Sequence, residues 1–343
     1  MAATPSSRPD APGGAGSADP EFTPIAETGE FGLIDRLSAL IGPPRSDELI
    51  VGIGDDAAVY RIGENRVHVL TSDDLFEAVH FDRMFMPMEH LGFKAISINV
   101  SDVAAMNAEP RYATVGLGIP NNFSVEMAES LYRGIVRASR HFDVEIVGGD
   151  TNAARRLSLS ISVVGEAAED EVVYRSGARP GDLIVLTGPV GGSYAGLQVL
   201  LEGKKTFEES GGETQPDLDP YQDVLRRHMQ PVARTDVIRS MAEAGVKPRA
   251  LIDVSDGVAS DLHHVCEVSD VGATVEAGAL PIEPMTREIA EEMGEDPDQY
   301  ALFGGEDYEL LMAMPEEDVE ALSGEGLRVI GQFEIPQEGV RVE

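Results

Sequence analysis

The stretch that decides the reading is Gly52-Ile53-Gly54-Asp55-Asp56-Ala57-Ala58-Val59, two adjacent carboxylates in a glycine-flanked turn. It is entered from Leu49-Ile50-Val51 and left through Val59-Tyr60. Burying two like charges costs several kcal/mol unless positive charge compensates them. No Lys or Arg lies between Arg45 and Arg61, so a metal ion is the expected compensation. Similar acidic clusters recur later, beside glycines or at the ends of β-like runs. The expectation is that they converge on one site where Mg²⁺ ions hold a nucleotide triphosphate.

Working outward, residues 1–24 are rich in Ala, Pro, Gly and Ser without periodicity, and read as a disordered tail outside the fold. Glu30 to Leu37 has the spacing of a short amphipathic helix. Leu49 to Ile62 and Arg66 to Leu75 read as a hairpin, with Asp55-Asp56 near one end and Thr71-Ser72-Asp73-Asp74 near the other. Pro87 to Ala108 reads as a helix with an apolar face of Leu91, Ala95, Ile98, Val100 and Val103, and Asp102 lies within that pattern. A strand Tyr112–Ile119, a helix Ser124–His141 and a strand ending at Gly148-Gly149-Asp150-Thr151 follow, then Leu157–Val164, where serines alternate with apolar residues as in a half-buried strand. Composition changes near Ala167 and places a domain boundary there, giving domains 25–166 and 167–343. The second half repeats strands and helices, with Asp253-Val254-Ser255-Asp256-Gly257 after an apolar strand, Phe303-Gly304-Gly305-Glu306-Asp307-Tyr308 before another, and a hairpin-like tail. Strands first and helices between suit two α+β domains.

Composition bounds the function. The chain has 343 residues, 42% apolar content and a formal charge of −35. That charge opposes nucleic acid and anionic membranes as partners, and no signal peptide or membrane span is evident. One cysteine, Cys266, excludes an internal disulfide and fits a cytoplasmic location. Acids number 61 and cations 26, of which only four are lysines, the surface expected of a halophilic protein. Most acids are therefore solvation, and the informative ones interrupt apolar patterns. Asp253 sits inside Ala-Leu-Ile-Asp-Val; Asp73 follows Val67-His68-Val69-Leu70; Asp102 lies on an apolar helix; Asp150 ends Ile146-Val147-Gly148-Gly149. For Asp256 or Ser255 alone a helix N-cap is an even alternative. The Gly52-x-Gly54-x-x-Ala57 match to a dinucleotide fingerprint is weak, because Asp55 and Asp56 would repel a pyrophosphate. No Walker-type lysine loop exists, so phosphates must be held through divalent cations.

The ordered series Glu30-Phe31-Gly32-Leu33-Ile34, Gly52 to Val59, Thr71-Ser72-Asp73, Ser101-Asp102-Val103-Ala104-Ala105-Met106, Gly148-Gly149-Asp150-Thr151, Arg175-Ser176-Gly177-Ala178, Asp253 to Gly257 and Gly304-Gly305-Glu306-Asp307-Tyr308-Glu309-Leu310 resembles the thiamine-monophosphate kinase family. The resemblance implies two α/β-sandwich-like domains of the aminoimidazole ribonucleotide synthetase type and a homodimer paired through the N-terminal domains. It also implies ATP-dependent phosphorylation of thiamine monophosphate with several Mg²⁺ ions. It assigns Asp56, Thr71, Ser72, Asp73, Asp102, Asp150, Asp253 and Asp256 as metal ligands. Gly149, Asp150, Arg175 and Ser255 match nucleotide-binding positions, and His80 and Glu306 substrate-binding ones, with no general base. Without the resemblance, His80 reads as a polar strand-end residue and Arg175 as a turn cation. The family's aromatic residue near the C-terminus has no counterpart before Val342-Glu343. The alternatives are sibling enzymes, which would want a terminal reactive cysteine, and a non-catalytic cation-binding halophilic protein.

Overall fold

The computed structural model describes residues 23–322 and 324–343; the expected tail lies almost wholly outside them. Helix α1 (Ile25–Ile41), kinked at Gly29, extends the expected short helix in both directions. It belongs to a unit ending at Arg45, separate from the compact unit Ser46–Glu343.

That larger unit holds two mixed sheets. The first contains β1 (Leu49–Val51), β2 (Ala58–Gly63), β3 (Arg66–Phe76), β4 (Glu109–Ile119), β5 (Glu145–Ala153) and β6 (Ser158–Ala167), in the order β1-β2-β3-β6-β4-β5. Helices α2 (Met88–Ala105) and α3 (Val125–Phe142) accompany it. The continuous strand expected over 49–62 instead doubles back: β1 and β2 pair antiparallel, Leu49 opposite Tyr60. Gly52 to Ala57 is thus a tight turn. Ala58 lies opposite Leu70 on β3, so Asp55-Asp56 and Thr71–Asp74 share one end of the hairpin rather than opposite ends. Antiparallel pairing about the turn at Gly63–Arg66 requires this.

Alternation along β3 buries Val67, Val69, Thr71 and Leu75, while Leu70, Ser72 and Phe76 are exposed. The buried face packs on α2. Helix α2 has no single apolar face: 15 of its 18 residues are buried, because it touches β3, β4 and β6 on one side and strand 250–253 of the second sheet on the other. Its approach to α3 is close enough that a Cβ at Gly92 would lie 2.1 Å from the Leu131 carbonyl oxygen.

The second sheet is β7 (Leu183–Leu186), β8 (Ala250–Asp253), β9 (Gly272–Val275), β10 (Leu310–Met314), β11 (Arg328–Glu334) and β12 (Val340–Val342), ordered β12-β9-β11-β7-β10-β8. With it come α4 (Gly192–Glu209), α5 (Gln222–Met229), α6 (Thr235–Ala244), α7 (Val258–Ser269), α8 (Pro284–Met293), α9 (Pro297–Phe303) and α10 (Glu316–Ala321). The hairpin-like tail is a correction: β11 and β12 do not pair, because β9 lies between them, antiparallel to β11 and parallel to β12. Strand β8 is an edge strand whose four residues are all buried, covered by α2 and α7. Among the described residues, no helix is long and apolar enough to cross a membrane.

Candidate functional site

The contact of α2 with β8 builds the site. Asp102 on α2, Asp253 at the end of β8 and Asp56 in the β1–β2 turn bring carboxylate oxygens within 4.8 Å of one another. Each is held by a neighbour. Thr71 donates to Asp102 Oδ2 at 2.6 Å, Ser101 donates to Asp253 Oδ2 at 2.6 Å, and Arg175 Nη2 donates to Asp56 Oδ1 at 2.6 Å. Asp73 lies beside Asp102, its amide donating to Asn99 Oδ1 at 3.0 Å.

Arg175 corrects the expectation that no side chain compensates the turn. The cation arrives from 119 residues downstream, where sequence adjacency could not find it. It neutralises only part of the charge: the Asp56 side chain is 2% exposed, and its Oδ2 is buried with no hydrogen-bond partner. The Arg175 amide also reaches both oxygens of Asp55 at 3.3 Å.

The electrostatics are those of carboxylates crowded out of water. Burial first, then the neighbouring acids Asp73, Asp253 and Asp56, push Asp102 well above the usual carboxylate range. Burial and Asp56 raise Asp253 to about 8; burial and Asp56 raise Asp55 to about 6. Burial, with Asp253 and Asp256 behind it, raises Asp261 on α7 to about 9. A chain that buries this much like charge, with one carboxylate oxygen unpartnered, has the donor set of a hard divalent cation.

Other expected residues fall differently. Asp256 is not an N-cap: Gly257 holds that position, with no side-chain cap, and the Asp256 amide instead donates to Asp261 Oδ2 at 3.3 Å. Ser72 points to the opposite face of β3 from Thr71, donating to the Ile161 carbonyl and accepting from Ser162. Gly149 and Asp150 lie on β5; Asp150 is exposed and accepts from Asn152 at 2.7 Å. Register places Asp150 in one row with Gly116, Ser160 and Asp74, three strands from β3 (about 14 Å) and on the outward face. Within one chain it stands apart from Asp56, Asp102 and Asp253.

At the other side of the site, the Gly304–Tyr308 turn crosses the end of β8. Glu306 N donates to the Ser255 carbonyl at 2.7 Å and Tyr308 N to the Val254 carbonyl at 2.9 Å. Gly305 lies so close that a Cβ there would sit 2.6 Å from the Ser255 oxygen. Glu306 and Tyr308 take φ of +56° and +55°, strained for non-glycine residues. Glu306 meets Lys94 Nζ at 3.0 Å and His228 Nδ1 at 3.5 Å. His80 Nδ1 accepts the Phe76 amide at 3.0 Å, closing the turn after β3. Sequence reasoning missed Lys94, His228 and Asp261; a charged residue inside an apolar helix was the available signal for Lys94.

Two family models cover this unit. One described as AIR synthase related protein, N-terminal domain, matches residues 54–167; one described as AIR synthase related protein, C-terminal domain, matches 179–342. Thiamine-monophosphate kinase of Aquifex aeolicus is 36% identical over 294 residues, 85% of this chain and 88% of that protein. That of Bacillus subtilis is 34% identical, covering 86% of each. The solved structure of AaThiL complexed with AMPPCP and TMP superposes with a TM-score of 0.81 at 34% identity, over 94% of this chain and 95% of that one. A hydrogenase maturation protein HypE in complex with ATP shares the fold at 22% identity and a TM-score of 0.64. With both halves matched in order and relatives above 30% identity along most of its length, the chain belongs to the thiamine-monophosphate kinase family of AIR synthase related proteins.

Proposed function

We propose that this protein transfers the γ-phosphoryl group of ATP to thiamine monophosphate, giving thiamine diphosphate. The observation that carries it is the convergence of Asp56, Asp102 and Asp253 around an unpartnered buried oxygen. A related structure at 34% identity binds AMPPCP, an ATP analogue, together with TMP.

Asp56, Asp73, Asp102, Asp253 and Asp256 would hold Mg²⁺, with Thr71 fixing Asp102. Bound there, Mg²⁺ supplies positive charge that screens the two phosphates from each other and offsets charge developing in transfer. The protein's own residues do the placing. Ser101, Thr71 and Arg175 fix the carboxylate oxygens, so little reorganisation remains for the reaction. The acceptor needs no base, since a phosphate monoester has a second pKa of about 6 and is already deprotonated at neutral pH. In this reading Arg175 and Ser255 would meet nucleotide, and Glu306 and His80 the acceptor.

The homodimer belongs to the same proposal. The outward face of the first sheet exposes Leu70 at 39%, Phe76 at 45% and Tyr112 at 47%, the kind of surface that pairing covers. Ser72, Gly149 and Asp150 lie on that face or its edge, so their part in the site depends on pairing of two copies. A cytoplasmic, halophilic setting fits the charge and the single buried cysteine.

Calorimetry with AMPPCP, with and without Mg²⁺, tests the reading. Nucleotide affinity that rises with Mg²⁺ is the expected result; affinity indifferent to Mg²⁺ would favour a mere ion binder.

A further inference from the structure

Lys94 is the only lysine in the first 200 residues, and it is fully buried, in the middle of α2. A buried ammonium is costly unless paired and hydrogen-bonded. Lys94 Nζ is both: it lies 3.0 Å from Glu306 Oε1 and donates to the His228 carbonyl at 3.2 Å. The His228 ring, 3% exposed, sets Nδ1 3.5 Å from the other oxygen of Glu306 and 3.3 Å from Ser193 Oγ. Three segments distant in sequence, α2, α5 and the Gly304–Tyr308 turn, thus meet on one carboxylate.

Glu306 occupies a left-handed backbone conformation, strained for a non-glycine residue, at φ +56°, and its side chain remains 30% exposed. Burial pushes its pKa up, yet the charge and hydrogen bond of the Lys94 ammonium oppose burial, and the carboxyl is held below the usual carboxylate range. Burial, then Lys94, lowers His228 to about 4, so that imidazole is neutral near pH 7. The partly exposed Glu306 side chain therefore ends in a fixed carboxylate, apt for an N–H donor or a cationic ring. Thiamine monophosphate carries both.

We propose that Lys94, aided by His228, is a positioning residue for the acceptor substrate, acting through Glu306. The same helix carries Ser101 and Asp102 two turns beyond Lys94, about 12 Å along its axis. One rigid rod therefore sets the acid cluster, where the acceptor's phosphate must arrive, relative to the carboxylate that receives its organic end. This rests on the reading that Glu306 contacts thiamine monophosphate.

A double-mutant cycle tests it. KM for thiamine monophosphate, KM for ATP and kcat are measured for the full-length protein, Glu306→Gln, Lys94→Met and the double variant. Each single variant should raise the acceptor KM about tenfold or more, a loss of about 1.4 kcal/mol, with kcat and the ATP KM changed less than about threefold. The double variant should be no worse than the worse single one, because Lys94 has nothing left to position. If Glu306→Gln leaves the acceptor KM unchanged, the Glu306 reading itself is wrong and the proposal falls with it. If Glu306→Gln raises that KM while Lys94→Met does not, or multiplies it equally in both backgrounds, or weakens ATP and acceptor alike, only the positioning role is overturned. Should Lys94→Met not fold, His228→Gln replaces it in the same cycle under the same criteria.

Discussion

Ser101 Oγ donates to Asp253 Oδ2 at 2.6 Å across 152 residues of sequence, joining helix α2 to the end of β8 at the centre of the acid cluster. Both residues are buried, Ser101 completely and Asp253 at 2% exposure. Removing the hydroxyl by Ser101→Ala should cost about 1–3 kcal/mol of stability. It should also weaken Mg²⁺-dependent nucleotide binding, because Asp253 then loses its restraint. Urea unfolding and AMPPCP titration check the two effects separately; a variant with wild-type nucleotide affinity would show that the restraint is structural only.

Arg175 pairs with Asp56, whose other oxygen has no hydrogen-bond partner among the described residues. Arg175→Met should destabilise the metal-free protein by on the order of 3 kcal/mol, since it strands a buried carboxylate. Mg²⁺ should then restore more melting temperature in the variant than it adds to wild type. Equal Mg²⁺ gains in both proteins would contradict a cation bound at Asp56.

Asp253, raised to about 8, and Asp261, raised to about 9, hold protons in the folded metal-free protein that the unfolded chain releases near pH 4. A folded pKa above the unfolded one contributes stability that is fully present below pH 4 and lost as pH rises through the folded value. Metal-free protein should therefore melt higher at pH 6 than at pH 8.5. Asp253→Asn should flatten that slope and raise the melting temperature at pH 8.5, while abolishing turnover, as should Asp73→Asn. Because Asp253 must shed its proton to bind a cation, Mg²⁺ affinity should rise over the same window, read as proton release in buffers of different ionisation enthalpy. A melting temperature that climbs with pH, or an active Asp253→Asn, would contradict the assignment.

These residues also show what could be read before folding. Asp253, Asp102 and Asp73 were legible because each breaks an apolar run, and a carboxylate in such a place needs a reason. The two-sheet α+β organisation was legible from strand alternation, most clearly in Leu157 to Val164. Long-range pairing was not. Nothing near Asp56 points to Arg175, and nothing near Lys94 points to Glu306 or to His228, the latter 134 residues away. Ser72 and Thr71 are neighbours in sequence but lie on opposite faces, so a motif that names both does not say which one meets Asp102. The tail strand β12 was misjudged for a similar reason: β9 occupies the place beside β11 that a hairpin would need.

The charge of −35, with 61 acids against 26 cations, gives a salt prediction. Going from molar salt to about a tenth molar lengthens screening from roughly 3 to 10 Å, so the surface acids repel over a greater range. The melting temperature should fall accordingly. A value unchanged or higher at low salt would contradict a halophilic surface.

The central claim is that carboxylate-held cations and positioning, without a general base, carry phosphate onto a phosphate. Thiamine offers a hydroxyl whose proton must be removed, whereas thiamine monophosphate offers an oxygen already free of one. The most direct measurement gives purified protein Mg²⁺ and ATP with each acceptor in turn and follows the products by chromatography. Thiamine monophosphate should be converted to thiamine diphosphate, with a rate that falls below about pH 6 as the acceptor protonates, and thiamine should be left largely untouched. Efficient phosphorylation of thiamine, or no reaction with the monophosphate, would contradict the account.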